Sequence, residues 1–300
     1  MNLSASLYFY SIVILLSTVV AFYPSSPTDI VEESEVISQR IINGQEAEDG
    51  QFPYQVWITA YRGFIFRQRI LRCGGSIISE HWVLTAGHCI RHSNSFLNRT
   101  SYYVEAGTLV IETLGVEPRQ ADLIYEEDAH IHPEYNASNL LNDIALLRYH
   151  GFDFSTKFVQ PIELAPKAWA DSEKVFLGKT FILSGYGHAL DNRRLPNHLR
   201  WTELDFVPFE ECRGFYYYWD LASTAFCAGD VLLPIHSGCN GDSGGPIVLE
   251  KTPGKFVQVG VVSVGPHTLN DTYCSSSPAG FTSVALFRDW IDSTMAEYSN

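Results

Sequence analysis

Positive charge is the first thing in short supply in this 300-residue chain: 20 lysines and arginines stand against 34 aspartates and glutamates, a net charge of −14. A surface of that sign repels phosphate backbones and anionic head groups, which excludes nucleic acid and an electrostatically held membrane as partners. Low-complexity tracts and internal repeats are missing as well. Charged residues are only 18% of the chain against 46% hydrophobic, which excludes a disordered protein and leaves ample apolar surface for a large core. Cysteine is sparse but even, six in all, as expected of a chain that matures in an oxidising compartment.

Apolar runs long enough to span a bilayer are also lacking, with one short exception. Leu7–Tyr23 is apolar, ends near a small-residue cleavage site after Ala21, and reads as a signal peptide over residues 1–21. A membrane anchor is the competing reading, because no Lys or Arg precedes the run, but its length is marginal for crossing. Residues 22–40 carry proline, serine and glutamate without cysteine or periodicity, and read as a removable propeptide. The expected location is secreted and extracellular, with sequons at Asn98, Asn136 and Asn270 as candidate glycosylation sites.

The most unusual stretch is Gly238-Cys239-Asn240-Gly241-Asp242-Ser243-Gly244-Gly245-Pro246, four glycines and an acid around one serine. Glycines allow positive φ and let a substrate backbone come close to N–H donors, so the stretch reads as an oxyanion site with Ser243 as nucleophile. A serine hydroxyl needs a base and an orienting acid. Thr85-Ala86-Gly87-His88-Cys89 offers His88, and Asn142-Asp143-Ile144-Ala145-Leu146-Leu147 offers Asp143 at the start of an apolar strand that would bury it. The stretch also fits the G-x-S-x-G pattern of α/β-hydrolases. That fold requires a helix after the serine and the histidine last, whereas Pro246–Leu249 reads as a strand and His267 is the only later histidine. His130-Ile131-His132 suggests a metal pair, yet no third ligand has suitable spacing, so no metal and no cofactor is expected.

Short β segments bounded by turns are expected at 54–60, 75–79, 82–85, 102–105, 144–149, 181–184, 246–249 and 256–264. Val284, Phe287, Ile291 and Met295 recur at helical spacing behind Ser283, a candidate cap, and predict one amphipathic C-terminal helix. The chain is therefore expected to be all-β with a closing helix.

With His, Asp and Ser in that order, the sequence from Ile41 to about Tyr298 resembles the chymotrypsin-like, trypsin-fold secreted serine proteases. The resemblance implies two antiparallel six-stranded Greek-key β-barrels, at about 54–155 and 162–283, a C-terminal α-helix at 284–298, and a cleft between the barrels. It implies His88, Asp143 and Ser243 as the catalytic triad and the N–H groups of Gly241 and Ser243 as the oxyanion hole. It likens Arg40-Ile41-Ile42-Asn43-Gly44 to an activation junction, cut by a trypsin-like protease, whose new Ile41 amine pairs with Asp242. The family pattern pairs Cys73 with Cys89, Cys212 with Cys227, and Cys239 with Cys274. Substrate-binding positions carried over are Ser237, Gly238, Ser263, Val264, Gly265 and Ala279. Ser237 stands where trypsin-like members carry aspartate, so a basic residue before the scissile bond should be rejected and Phe, Tyr, Leu or Met accepted. Val264 replaces a usual tryptophan, Tyr186 another, and Gly87 a usual alanine. Thr108 falls where calcium-binding members carry glutamate.

The implied partners are protein or peptide substrates, a trypsin-like activating protease and protein inhibitors, and a monomer is expected. The propeptide lacks a cysteine-rich module, which favours a digestive role. Two alternatives are carried: a regulatory protease with a narrow target, and a non-catalytic homologue that binds proteins. The basic loop of Arg62, Arg67, Arg69 and Arg72 reads as a solvated loop, with an exosite for an acidic macromolecule as its competitor.

Overall fold

Valine, isoleucine, tyrosine and phenylalanine recur in short runs along this chain, and β-branched and aromatic side chains fit the pleated surface of a strand. The computed structural model describes residues 44–63, 67–90, 99–112, 119–187, 198–216, 223–231, 238–239, 241–264 and 278–298. All of them lie in one compact unit, Ser38–Asn300. In chain order the strands are β1 (Gln45–Glu46), β2 (Gln55–Arg62), β3 (Gln68–Ser79), β4 (Trp82–Thr85), β5 (Thr100–Ala106), β6 (Gln120–Tyr125), β7 (Ala129–Ile131) and β8 (Ala145–Arg148). There follow β9 (Glu163–Leu164), helix α1 (Ser172–Phe176), β10 (Thr180–Gly185), β11 (Arg200–Val207) and helix α2 (Phe209–Arg213). The chain closes with β12 (Ala225–Ala228), β13 (Pro246–Thr252), β14 (Lys255–Val264), β15 (Ala279–Ser283) and helix α3 (Arg288–Glu297).

Two sheets result. The first runs β6-β5-β2-β3-β4-β8-β7, every pair antiparallel. Its edge strands β6 and β7 are consecutive in the chain, joined by the single turn Glu126–Asp128, so the sheet curls on itself through a bent segment. The second runs β11-β10-β13-β14-β15-β12, and β12 pairs back onto β11 through Phe206↔Ala228 and Val207↔Cys227, which closes a six-stranded barrel. Strand β1 adds to the start of β11, and β9 lies parallel to β14. The expected pair of barrels is thus a closed barrel beside a curled half-barrel of seven strands.

Each sheet wraps an apolar core. The first buries Val56, Ile58, Val83, Leu84, Tyr102, Val104 and Leu146 completely or nearly so. The second is filled by five phenylalanines: Phe176 meets Phe181 edge-on at 5.3 Å between centroids, and Phe226 stacks on Phe281 at 5.7 Å. Truncating any such ring to alanine typically costs about 3–5 kcal/mol. Between the sheets, buried polar pairs join apolar contacts such as Trp57 edge-on to Tyr186: Ser184 Oγ donates to Gln55 Oε1 at 2.8 Å, and Ser76 Oγ to Gln258 Oε1 at 2.6 Å, all four side chains buried. Such paired groups fix one relative placement of the sheets, because any other would leave buried amides unsatisfied.

The C-terminal helix is shorter than its periodicity suggested. Val284–Phe287 forms a 3-10 turn, and only Arg288–Glu297 is α-helical. Ser283 precedes the turn, but it makes no side-chain cap, and its buried Oγ has no partner among the described residues. Val284, Phe287 and Ile291 are buried as expected.

Candidate active site

His88 sits on a one-turn 3-10 helix, Gly87–Cys89, that follows β4. The Cys73–Cys89 disulfide ties that turn to β3. Asp143 precedes β8, where Asn142 takes φ +54° and turns the chain inward, and the carboxylate ends fully buried. It is met from both sheets. From the first, the His88 backbone N–H donates to Oδ1 at 2.7 Å and His88 Nδ1 lies 2.7 Å from Oδ2. From the second, Ser263 Oγ donates to Oδ2 at 2.6 Å and Thr282 Oγ1 to the Asp143 carbonyl at 3.0 Å. With an ionised aspartate at Nδ1 the imidazole carries its proton there, which leaves Nε2 as a base.

Ser243 lies on the turn that leads into β13. Its carbonyl accepts from the Gly74 N–H at 2.7 Å, and the next residue, Gly244, adopts φ +78°. A side chain at Gly244 would overlap Thr85 Oγ1 and the Gly74 carbonyl and would meet Cys89 Sγ at 3.1 Å, so only glycine lets this turn sit against the histidine loop. A His88 ring nitrogen and the sulfurs of Cys73 and Cys89 lie within 4.8 Å of one another. The disulfide is therefore the shared neighbour of His88 and the Ser243–Gly244 turn. Both sulfurs are consumed in that bond, so the three groups cannot act together as a metal site. The described hydrogen bonds join His88 to Asp143 and do not include one from Ser243 to His88, a contact that often tightens only when substrate arrives. Gly241 takes φ +103°, and among the described residues no acceptor meets the N–H of Gly241 or of Ser243.

Asp242 has no solvent exposure. Its carboxylate accepts from the backbone N–H groups of Gly187 at 2.7 Å and Cys239 at 2.9 Å. Gly185 and Gly187 press so closely on it that a Cβ at either position would overlap the carboxylate. Burial pushes the Asp242 carboxyl up to about 6, against the pull of the two N–H donors.

Two expected disulfides, Cys73–Cys89 and Cys212–Cys227, are formed. Cys239 is also disulfide-bonded, while Cys274 lies outside the described residues. So do Arg40, Ile41, Ser237, Gly265, Asn98 and Asn270. Asn136 is exposed, with Oδ1 accepting from the Ser138 N–H at 2.9 Å. Of the substrate-binding positions, Gly238 lies against Leu183 and Asp242, and Ala279 is buried opposite Ala228. Val264 is buried against Gly280 and packs with Val207, Cys212, Tyr216 and Cys227. The hydroxyl of Ser263, named from resemblance as a substrate contact, is directed at Asp143. Thr282 was not singled out in the sequence; its bond spans 139 residues and leaves no local signal. Arg69 and Arg72 do not form a free basic patch, since both reach the Glu112 carboxylate, at 2.8 and 2.7 Å.

A buried aspartate oriented on a histidine, beside a glycine-rich serine turn at the seam of two curled sheets, defines the serine protease class. The comparisons agree. The Trypsin family model matches residues 41–291. Serine protease SP24D of Anopheles gambiae is 32% identical over 263 residues, 86% of this chain and 82% of that protein. Chymotrypsin-2 of Vespa crabro is 32% identical over 84% of this chain and 98% of its own length, and human chymotrypsin-like elastase family member 3B is 31% identical over 87% and 91%. The solved structure of HL collagenase superposes with a TM-score of 0.67 at 28% identity, covering 85% of this chain and 98% of the other. The chain belongs to the trypsin family and is a trypsin-fold serine protease.

Proposed function

We propose that this protein is a secreted serine endopeptidase, made as a zymogen, that cuts after large apolar or aromatic residues. The observation that carries the mechanism is the doubly braced carboxylate: Asp143 is bonded to His88 at two points and to Ser263 at a third. Ser243 Oγ attacks the peptide carbonyl as its proton passes to His88 Nε2. The oxyanion settles on the N–H groups of Gly241 and Ser243, and loss of one such donor typically costs about 10²–10³ in turnover. His88 hands the proton to the leaving amine, and a water activated by the same nitrogen then splits the acyl-enzyme. Asp143 holds the tautomer throughout and offsets the charge of the imidazolium.

The zymogen reading is supported by the family match, which begins at Ile41, and by the state of Asp242. A carboxyl raised by burial is poised for a cation, and the Ile41 amine freed by cleavage after Arg40 supplies one. The preference for Phe, Tyr, Leu or Met rests on Ser237, a neutral residue that by resemblance stands where trypsin-like members carry aspartate, and digestion is the favoured role. The same neutrality denies the enzyme its own Arg40 bond, so a separate trypsin-like protease must open it.

The test uses purified zymogen with and without trypsin. A fluorophosphonate should label Ser243 stoichiometrically only after cleavage, a peptide library should then show graded cutting after Phe, Tyr, Leu and Met, and Ser243→Ala should abolish both. Labelling without cleavage, cutting after arginine, or autonomous opening of the Arg40–Ile41 bond would each contradict a named part of the reading.

A further inference from the structure

Arg200 breaks the pattern of its own strand. It is the first residue of β11, whose inward positions Thr202, Leu204 and Phe206 are otherwise uncharged, and yet the Arg200 side chain is only 7% exposed. Its Nη1 lies 3.2 Å from Glu46 Oε1, and its Nη2 donates to the carbonyl of Gly44. Glu46 is 58% exposed, so the carboxylate described beside this buried cation is largely solvated. Such an arrangement gains little net stability over a well-packed apolar side chain, and barrel packing alone does not account for it.

Its position does. The backbone of Arg200 pairs with Glu46 on one side and with Gly185 on the other, and Gly185 is one of the two glycines pressed against Asp242. One rung of the sheet thus runs from the start of the protease domain to the cradle of Asp242. Gly44 is three residues downstream of Ile41, and three extended residues span at most about 10 Å. Strand β1 is only two residues long and exposed, so it holds the segment weakly by itself.

We infer that Arg200 is the positioning residue of activation: by gripping Gly44 and Glu46 it fixes the base of the short arm whose freed Ile41 amine must reach Asp242. The inference rests on the activation reading above. Its physical content is effective concentration, since an amine tethered three residues from a fixed point meets its partner far more often than one on a longer, loose arm. Arg200 touches neither substrate nor the reacting atoms. It changes the equilibrium between inserted and free amine, with the triad left intact.

Zymogens carrying Arg200→Gln, Arg200→Lys and Glu46→Gln are cut with trypsin alongside the wild type, and the new terminus is verified by mass. Two readouts follow: the rate at which cyanate carbamylates the Ile41 amine, and the alkaline limb of kcat/KM against pH. For R200Q the expected results are carbamylation about tenfold faster and an alkaline limb about one pH unit lower, the same factor of ten seen two ways. R200K should fall between. E46Q alters only a solvated residue, so it serves if R200Q does not fold, and it should shift both readouts in the same direction by about threefold. Wild-type values in R200Q, or in E46Q where R200Q cannot be made, overturn the assignment to Arg200 alone. A wild-type Ile41 amine that reacts as fast as a free peptide amine overturns the activation reading, and this inference with it.

Discussion

Ser263 shows how the hydroxyl of a strand residue can serve a contact that its position does not announce. By resemblance it belongs to the segment that meets substrate, but its Oγ donates to Asp143 at 2.6 Å from a position 120 residues away. A hydrogen bond to a charged group contributes about 1.5–3 kcal/mol, so Ser263→Ala should lower kcat about tenfold or somewhat more, with KM unchanged. Steady-state kinetics with active-site titration check this; a raised KM at constant kcat would return Ser263 to the substrate. At this scale the sequence was readable where chemistry is local. His88, Asp143 and Ser243 each stand in a contiguous motif, whereas Ser263 and Thr282 are ordinary strand residues until folding turns them toward one carboxylate.

Among the elements, α3 is held to the first sheet by aromatic contacts with a titratable partner. His132 meets Phe287 at 5.1 Å and Trp290 at 5.1 Å between centroids, and its Nδ1 accepts from the Glu134 N–H at 3.2 Å. Burial lowers its pKa from the ordinary 6.5, opposed by the charge of Glu134. A base with a lowered folded-state pKa stabilises fully above 6.5, and that stability is lost as pH falls toward the folded value. Trp290 fluorescence and amide exchange in α3 should therefore report loosening below about pH 6.5, and His132→Phe should flatten the response. Helical spacing predicts this element, whereas β11 alternates buried positions from Arg200 to Phe206 but opens on a charged residue followed inward by Thr202, so only Leu204 and Phe206 mark its apolar face. Two arginines of the basic loop before Cys73 are neutralised by Glu112, 40 and 43 residues away, a pairing that goes against the exosite reading and that no local spacing announces.

For the whole molecule, the feature that matters is the fully buried carboxylate of Asp242, whose proposed cation partner is an amine freed by cleavage. The Asp242 carboxyl, raised to about 6 from 3.8, gives its full stability below about pH 3.8 and loses it as pH rises toward 6. In the uncut Ser243→Ala zymogen, stability relative to the same chain with Asp242→Asn should fall by about 3 kcal/mol across that window. After cleavage an ammonium partner should hold the carboxyl low, and the fall should disappear; urea unfolding from pH 4 to 7 measures both. A curve that is flat before cleavage would remove Asp242 as the poised acceptor.

The sequence alone determined the class of chemistry: a serine protease pattern with His88, Asp143 and Ser243 as its proposed reacting groups, where the chain is expected to be cut, and that strands dominate. These are properties of short stretches, set by residue type and spacing. Only the tertiary structure decided that one sheet closes into a barrel while the other curls through a bent edge, that Asp143 is braced from both, and that a buried arginine grips the start of the domain. Those outcomes depend on residues far apart in the chain, and contact between distant residues leaves no mark in either stretch until folding has brought them together.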